Sequence, residues 1–369
     1  MTRTPFPPRS PFPYQGPLEA ELVTGREALV ADLSQRVADR RLTALLGPRR
    51  YGKTSVLKKV AADLEGVGQH VVWIDLYELH SMADLAGAID RGLAAASGPL
   101  RGVLDTVAGG LSIRLGVIGV ELRKEKRQRP DPVLLVRQLL EVLVNTAKRQ
   151  PLFVVFDEFA GIDNVSGAAG LLRTELQHHY RDLGIVFAGS QPSTMRTLFS
   201  DQNQPFFAQA DLIEIGPLTD DAVVAIVNDG FEFTGRSAGN VARRVVVLAS
   251  GHPQRAMQLS DAVWRATEEG ATASDIEWEQ GLQAVRQTVD LASERLFSLL
   301  STGQQKTLRA LASGGSIYGT AASVIDLAPG TARAAVDALI GNGFLVRRDG
   351  DLYVVDPMLA DWLTRRFSF

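Results

Sequence analysis

The sequence predicts an α/β fold, in which a parallel sheet is covered by helices on both faces, followed by a helical domain and a C-terminal domain of helices and a β-hairpin. Three observations lead to this prediction. Up to about residue 217, short apolar runs alternate with amphipathic helical patterns, as in parallel sheets. From Leu218 onward the strand signal nearly disappears and helical patterns follow one another. Near the end, two short apolar stretches are joined at Asp349-Gly350, which is a strong hairpin signal.

The N-terminal segment 1–17 contains six prolines, so we predict a flexible, extended tail. It lacks the apolar stretch of a signal peptide, and no later segment approaches the roughly 18 uncharged apolar residues of a membrane span. The 369 residues include no cysteine, which excludes disulfides, thiolate nucleophiles and Cys-ligated zinc. We therefore expect a cytoplasmic protein without a membrane partner. Its formal net charge of −3 argues against a whole-protein field that attracts nucleic acid.

Residues 47–54 read GPRRYGKT, which matches the GxxxxGK(S/T) pattern of a loop that binds phosphate. The glycines let backbone N–H groups converge on the α- and β-phosphates, Lys53 supplies positive charge, and Thr54 offers a hydroxyl to Mg²⁺ at the start of a helix. An apolar run at 42–46 and helical spacing at 55–64 supply the strand and the helix that this loop requires. A chance glycine loop is the alternative. The predicted phosphate-binding residues are Gly47, Pro48, Arg49, Arg50, Tyr51, Gly52, Lys53, Thr54 and Ser55.

A second buried strand is predicted at 71–76 and a helix at 82–99. The glycine-interrupted β-rich stretch 111–122 and the charged run after it indicate a hairpin or insertion, which we place at about 108–131. The charged residues there suit a solvated surface, with nucleic-acid contact as the alternative. An amphipathic helix follows at 133–148.

The stretch LFVVFDEFA, residues 152–160, predicts a central strand with two carboxylates at its C-terminal end, where open parallel sheets place their ligands. Asp157 is the candidate that holds Mg²⁺, and Glu158 the candidate that orients or deprotonates the attacking water. After a helix at about 167–182, Ser190 ends the next strand and could touch a phosphate or that water. The alternatives are a solvated acidic strand end and a serine that caps a turn.

Helical patterns at about 219–230, 238–250 and 253–267 define a helical domain, 218–290, and its segment GHPQR contains a fixed turn. In the functional interpretation, Pro253 contacts a base or sugar and Arg255 reaches toward phosphates. The alternative is a helix cap with proline in the first turn.

Predicted helices at 303–313, 318–326 and 331–342, followed by the hairpin, indicate a winged helix over 291–369. From 303 to the end there are seven basic and six acidic residues, a net charge of +1. Because modules that bind DNA concentrate basic charge, DNA binding is not favoured, although Arg347 and Arg348 could touch phosphates.

With these residues in place, the chain resembles the AAA+ and STAND superfamily of P-loop ATPases, and most closely the archaeal-type ATPase family, which is also bacterial. The resemblance covers about residues 18–369 and rests on TGRE at 24–27, GPRRYGKT, FVVFDEF, FAGS, GHP and DPMLADWL at 356–363. It implies a nucleotide-binding core over 18–217, the helical domain as a lid, ATP and Mg²⁺ as ligands, and Arg26 near the adenine. It also implies catalytic roles for Lys53, Glu158 and Ser190.

Two departures from the family pattern shape the predicted function. The segment 205–215 contains no arginine that could act as a finger, although Arg196 could serve from another position, and the sensor strand ends in Ser190 instead of asparagine. Both suit a slow ATP-driven switch better than a motor. We expect ATP and ADP as ligands and a protein partner or self-association, with an ATP-dependent nucleic-acid loader or remodeller as the alternative.

Overall fold

Two compact units make up the chain in this computed structural model, which describes residues 9–117, 130–314, 327–348 and 350–367. The core unit comprises residues 19–47 and 53–215, and the helical unit comprises residues 1–18, 48–52 and 216–369. The glycine-rich loop is therefore shared: its middle, 48–52, belongs to the helical unit, while Gly47 and Lys53 belong to the core unit.

A parallel sheet forms the centre of the core unit. Its strands are β1 (Thr43–Leu46), β2 (His70–Asp75), β3 (Leu152–Asp157), β4 (Leu183–Gly189) and β5 (Asp211–Glu214). They lie in the order β2-β3-β4-β1-β5, and every pairing is parallel. Strands β1, β3 and β4 are buried along their whole length, as expected when helices cover both faces. The predicted α/β fold with a parallel sheet is confirmed.

Seven helices and two short 3₁₀ helices are described in the core unit. They are α1 (Glu27–Ala38), α2 (Lys53–Gly66), α3 (Met82–Ala94), α4 (Gly98–Gly110), α5 (Pro132–Ala147), α6 (Ala168–Leu176) and α7 (Pro192–Ser200), with 3₁₀ turns at Ala20–Leu22 and Phe159–Asn164. The single helix predicted over 82–99 is two helices, because the chain turns before Gly98. The predicted insertion begins inside α4, and the part of its hairpin at 118–129 lies outside the described residues.

A connected cluster of five phenylalanines lies around the ends of β3 and β4. Phe156 and Phe159 flank the acidic pair Asp157-Glu158 in sequence, and the ring of Phe159 lies 4.4 Å from that of Phe187, measured between centroids. Such ring pairs add to the stabilisation from burial alone. They fix the backbone on both sides of the carboxylates. The cluster consists of Phe156, Phe159, Phe187, Phe199 and Phe206, all at most 2% exposed.

The helical unit contains seven described helices and a two-stranded hairpin. These are α8 (Asp220–Phe233), α9 (Val241–Ala249), α10 (Pro253–Ala266), α11 (Asp275–Ser298), α12 (Thr302–Ala312), α13 (Pro329–Gly341) and α14 (Pro357–Arg366), with β6 (Leu345–Arg348) and β7 (Asp351–Val354). Strands β6 and β7 pair in antiparallel register, as the hairpin signal predicts. The helix predicted at 318–326 lies outside the described residues, so the winged-helix assignment stays a prediction.

The first described residues of the chain pack against helix α8 of the helical unit. Phe12 is 1% exposed, and its ring lies 5.7 Å from that of Phe231 in α8. Gly230 makes room for it, since a Cβ there would lie 2.3 Å from the Phe12 ring. The sequence predicts a flexible tail over 1–17, and the structure differs from residue 9 onward because one aromatic side chain anchors the segment. Residues 1–8 lie outside the described residues.

Helix α11 is absent from the sequence prediction and runs through the predicted boundary at 290. Ser274 and Glu277 form a reciprocal capping box that starts it. Trp278, Leu282 and Val285 then follow at helical spacing and are buried. The predicted boundary at 290 therefore falls inside one continuous helix of 24 residues. Among the described helices, none has both the length and the apolar character needed to cross a membrane.

Candidate functional site

The two glycines of the phosphate loop are required for different reasons. A Cβ on Gly47 would lie 2.4 Å from Cγ2 and 2.9 Å from the carbonyl oxygen of Ile215, so only glycine fits against that backbone. Gly52 has open space around it but a φ of +89°, which L-residues rarely adopt. Arg50, two residues earlier, is also left-handed, with a φ of +67°. The loop therefore has a strained backbone that its surroundings must hold.

Lys53 and Thr54 begin helix α2 at the edge of the sheet where β1 ends. Lys53 is only 5% exposed, and its Nζ donates a hydrogen bond of 2.8 Å to the carbonyl oxygen of Gly47. Thr54 Oγ1 donates to Asp157 Oδ2 at 3.1 Å. The first turn of α2 thus combines a buried ammonium group, a hydroxyl and the positive end of a helix dipole, which is a favourable arrangement for an anion.

Asp157 ends β3 in a buried position, and its environment favours neutralisation of its charge. Burial raises the pKa of Asp157 to about 6, and the neighbouring charge of Glu158 acts in the same direction. Asp75, its register partner at the end of β2, adds a smaller effect of the same sign. A cation beside these carboxylates would stabilise the ionised form. The side chains that fit Mg²⁺ are Thr54 and Asp157.

Mg²⁺ does not need a preformed cluster of protein ligands. Within the described residues, no group of three or more His, Cys, Asp or Glu side chains forms such a cluster. Mg²⁺ is commonly held by one or two protein oxygens together with substrate phosphates. The donor set of Thr54 and Asp157 fits a metal that arrives with a nucleotide.

Glu158 has a left-handed backbone, with φ of 50° and ψ of 41°, and its carboxylate is held by the end of β4. Ser190 Oγ donates to Glu158 Oε2 at 2.6 Å, and the backbone N–H of Ser190 donates to the same oxygen at 3.3 Å. The sequence predicts that Ser190 touches a phosphate or water. In the structure its partner is the candidate catalytic carboxylate.

The GHPQR turn lies in the helical unit and has a defined hydrogen-bond network. Gly251 has a φ of +72°, and His252 caps helix α10 by accepting from the N–H of Arg255 at its Nδ1, 3.3 Å away. Pro253 occupies the first helical position, as the structural alternative predicted. Tyr51 of the phosphate loop lies edge-on to His252, with 5.0 Å between ring centroids.

The guanidinium of Arg255 is engaged within the helical unit. Its Nε and Nη2 donate to the two carboxylate oxygens of Asp356 at 2.9 and 2.5 Å, and its Nη1 donates to Gln258 at 2.5 Å. Arg255 is 8% exposed. The predicted contact of Arg255 with phosphate stays a prediction, and in this structure the side chain instead joins the turn to the start of α14.

The remaining predicted residues lie at the following places. Arg26 precedes helix α1 and is half-buried, while Ser55 is the third residue of α2. Arg49 is exposed on the loop. Arg196, the alternative finger, pairs with Glu214 at 2.5 Å. Their predicted contacts with nucleotide remain predictions.

The contacts of three residues in the helical unit could not be predicted from the sequence. His252 and Asp356 stand inside the quoted strings GHP and DPMLADWL, but their partners are distant in sequence. Arg348 was considered only for nucleic acid, and its Nη2 donates to the hydroxyl of Tyr51 at 2.6 Å. No periodicity links residues separated by about 300 positions.

Solved structures share this architecture. A scan against protein-family models gives no match, and neither does a search of curated proteins. The Walker-type ATPase PABY2304 of Pyrococcus abyssi covers 96% of this chain over 99% of its own length, at 19% identity and a TM-score of 0.73. This chain has the fold of a P-loop ATPase. The ORC2 protein of Aeropyrum pernix, in its ADPNP-ADP complexes, covers 96% of this chain and 95% of its own, at 15% identity and a TM-score of 0.60.

Proposed function

We propose that this protein binds MgATP, hydrolyses it slowly, and acts as a nucleotide-controlled conformational switch. The observation that carries the proposal is the convergence of Lys53, Thr54, Asp157 and Glu158 at one edge of the sheet, with Thr54 bonded to Asp157 at 3.1 Å. The fold of the solved ATPases is consistent with it. The four residues come from two stretches about a hundred positions apart in the sequence.

Each residue of the site has a distinct task in this proposal. The backbone N–H groups of the loop and Lys53 bind the phosphates, and Thr54 and Asp157 hold the metal. Bound Mg²⁺ neutralises charge that develops on the phosphate oxygens during transfer. Glu158 orients a water and accepts its proton.

The bond between Ser190 and Glu158 supports slow turnover. The Oγ and N of Ser190 both donate to Oε2 of Glu158, which restrains the carboxylate and leaves Oε1 to face a water. A hydrogen bond to a charged group contributes about 1.5 kcal/mol or more, so a carboxylate that must turn to reach the attacking water does so only as a minor population. We propose that this restraint keeps hydrolysis slow.

The division of the phosphate loop between the two units supports the role as a switch. Residues 48–52 belong to the helical unit, while Gly47 and Lys53, which flank them, belong to the core unit. We propose that the γ-phosphate and metal favour a closed conformation of the lid and C-terminal domain, and that hydrolysis releases it.

The first test is nucleotide affinity, measured by equilibrium dialysis with labelled ATP. Lys53→Ala should weaken binding by at least about tenfold, because a charged contact to phosphate is lost. Lys59→Ala is the matched control, since Lys59 lies on the same helix and pairs with Asp63 on the surface. Equal affinity of parent and Lys53→Ala would refute the site.

The second test separates binding from hydrolysis. Glu158→Gln should bind ATP like the parent and release phosphate at least about a hundredfold more slowly, because general-base catalysis contributes about that much. Turnover at the parent rate would remove Glu158 from the mechanism. The same variant, held in its ATP state, is the bait for the expected protein partner or self-association.

Nucleic-acid loading is the second candidate, and its support is weaker. Arg347 Nη1 donates to the carbonyl oxygen of Gly350 at 3.1 Å, and Arg348 is bonded to Tyr51, so both hairpin arginines have partners within the helical unit. A mobility-shift assay with duplex DNA across a salt series tests it. Tight binding with a steep salt dependence would reverse this order.

A further inference from the structure

Tyr51 is a buried aromatic residue in the middle of the phosphate loop. It is 2% exposed, although Arg49 and Arg50 before it are exposed. Its backbone neighbours Arg50 and Gly52 both have positive φ, at +67° and +89°. A left-handed residue other than glycine is unfavourable and persists only where its surroundings hold it. Burial of the Tyr51 side chain supplies that restraint.

Arg348 of the hairpin holds the outer end of this side chain. Its Nη2 donates to the Tyr51 hydroxyl at 2.6 Å, and its guanidinium carbon lies 5.7 Å from the centroid of the Tyr51 ring. The same carbon lies 5.7 Å from the ring of Tyr353 on β7, diagonally across the hairpin, where Arg348 itself pairs with Asp351. The cation thus lies close to two aromatic rings, which favours a fixed orientation.

His252 lies edge-on to the Tyr51 ring, with 5.0 Å between ring centroids, and its own position is fixed. The left-handed Gly251 sets the turn, and the imidazole accepts the N–H of Arg255. Arg255 is in turn held by both oxygens of Asp356, the residue that caps α14. The tyrosine therefore packs against a rigid turn and not against a mobile loop.

We propose that Arg348 is a positioning residue of the nucleotide site, which acts through Tyr51 to hold the phosphate loop in its binding conformation. This inference rests on the proposed function, because it needs nucleotide as the ligand of the loop. Coupling between sites is reciprocal. If Arg348 favours the binding conformation of the loop, bound nucleotide must favour the Arg348–Tyr51 contact by the same factor.

The experiment compares four variants by nucleotide affinity and by amide hydrogen exchange of residues 345–348 and 350–354. Arg348→Ala should weaken ATP and ADP binding by about tenfold, the fold-change that corresponds to the lower end of the range for one charged hydrogen bond. Arg348→Lys should restore part of the affinity, since an ammonium group also donates to the hydroxyl. Tyr51→Phe keeps the ring against His252 and should show the effect of the lost hydroxyl alone. Arg347→Ala, on the same strand, should bind like the parent.

Hydrogen exchange distinguishes positioning from general stabilisation. In the parent, ADP or MgATP should slow exchange of the hairpin amides, and in Arg348→Ala and Tyr51→Phe this response should be lost. A merely structural role for Arg348 would change exchange in the variant without any response to nucleotide in the parent. Near-UV circular dichroism shows whether Arg348→Ala is folded, and Tyr51→Phe and Arg348→Lys decide the question if it is not.

The outcomes separate this inference from the proposed function. Failure of the parent protein to bind nucleotide would overturn the proposed function. Binding by the parent, loss in Lys53→Ala, and parent affinity in both Arg348→Ala and Tyr51→Phe would overturn the inference alone. Parent hairpin amides that exchange equally with and without nucleotide would also overturn it.

Discussion

Protonation of His252 should make the helical unit unstable in mild acid. Burial lowers the pKa of His252 from the ordinary value of 6.5 to about 4, and the nearby positive charges of Arg255 and Arg50 act in the same direction against the opposing effect of Asp356. Its Nδ1 also accepts the N–H of Arg255, which a protonated ring nitrogen cannot do. The native state therefore requires the neutral imidazole.

The difference in proton binding between the folded and the unfolded chain sets the sign and the size of this change in the free energy of unfolding. Between about pH 6.5 and pH 4 the unfolded chain holds a proton on this histidine and the folded protein does not, so the free energy of unfolding falls as the pH falls. The contribution is fully present above about pH 6.5, decreases by about 2 kcal/mol on going to pH 5, and by about 3 kcal/mol in total near pH 4.

Urea unfolding followed by tryptophan fluorescence measures this change, since three of the four tryptophans, Trp264, Trp278 and Trp362, lie in the helical unit. His252→Gln should lower stability at neutral pH and flatten the decrease between about pH 6.5 and pH 5. His80→Gln, an exposed histidine, is the control and should follow the parent curve. A decrease of equal size in His252→Gln and the parent would refute the assignment.

Three further predictions concern single side chains. Gly251→Ala places a Cβ 2.4 Å from a backbone carbonyl oxygen at a φ of +72°, and should lower the free energy of unfolding by about 2 kcal/mol or more; an unchanged urea midpoint would contradict this. Asp356→Ala leaves the guanidinium of Arg255, 8% exposed, without its carboxylate, and should cost about 3 kcal/mol or more in the same assay, whereas Asp361→Ala perturbs more exposed arginines and should cost less. Ser190→Ala frees the carboxylate of Glu158 and should raise the basal rate of phosphate release by up to about tenfold, with ATP affinity unchanged; a slower rate would show that Ser190 assists the reaction directly.

Local patterns predicted the central part of the core unit. Strand β1, the glycine loop and the start of α2 are consecutive in sequence, and the apolar run that ends in Asp157 marks β3 without reference to anything distant. Their chemistry depends on neighbours in the chain and on the rule that parallel strands present their C-terminal ends at one edge. Sequence reasoning is strong where the determinants are this close together.

The elements that could not be predicted are short, or they depend on residues that are distant in the sequence. Strand β5 has only four residues and is mostly exposed, so neither alternation nor an apolar run marks it. Helix α11 mixes polar and apolar positions over many turns, and its buried positions become visible only once its partners are known. The contacts of Arg255 with Asp356 and of Tyr51 with Arg348 join segments about 100 and 300 residues apart. Tertiary packing alone brings these residues together.

In the proposed mechanism, the serine that holds Glu158 controls the rate of hydrolysis independently of the affinity for ATP. Both hydrogen bonds from Ser190 end on a single carboxylate oxygen, Oε2, and in this proposal Ser190 binds neither phosphate nor metal. A substitution of Ser190, or a partner that displaces the end of β4, would change the lifetime of the ATP-bound state without changing the affinity for ATP. Loss of this one hydroxyl group would therefore shorten the lifetime of the ATP-bound state.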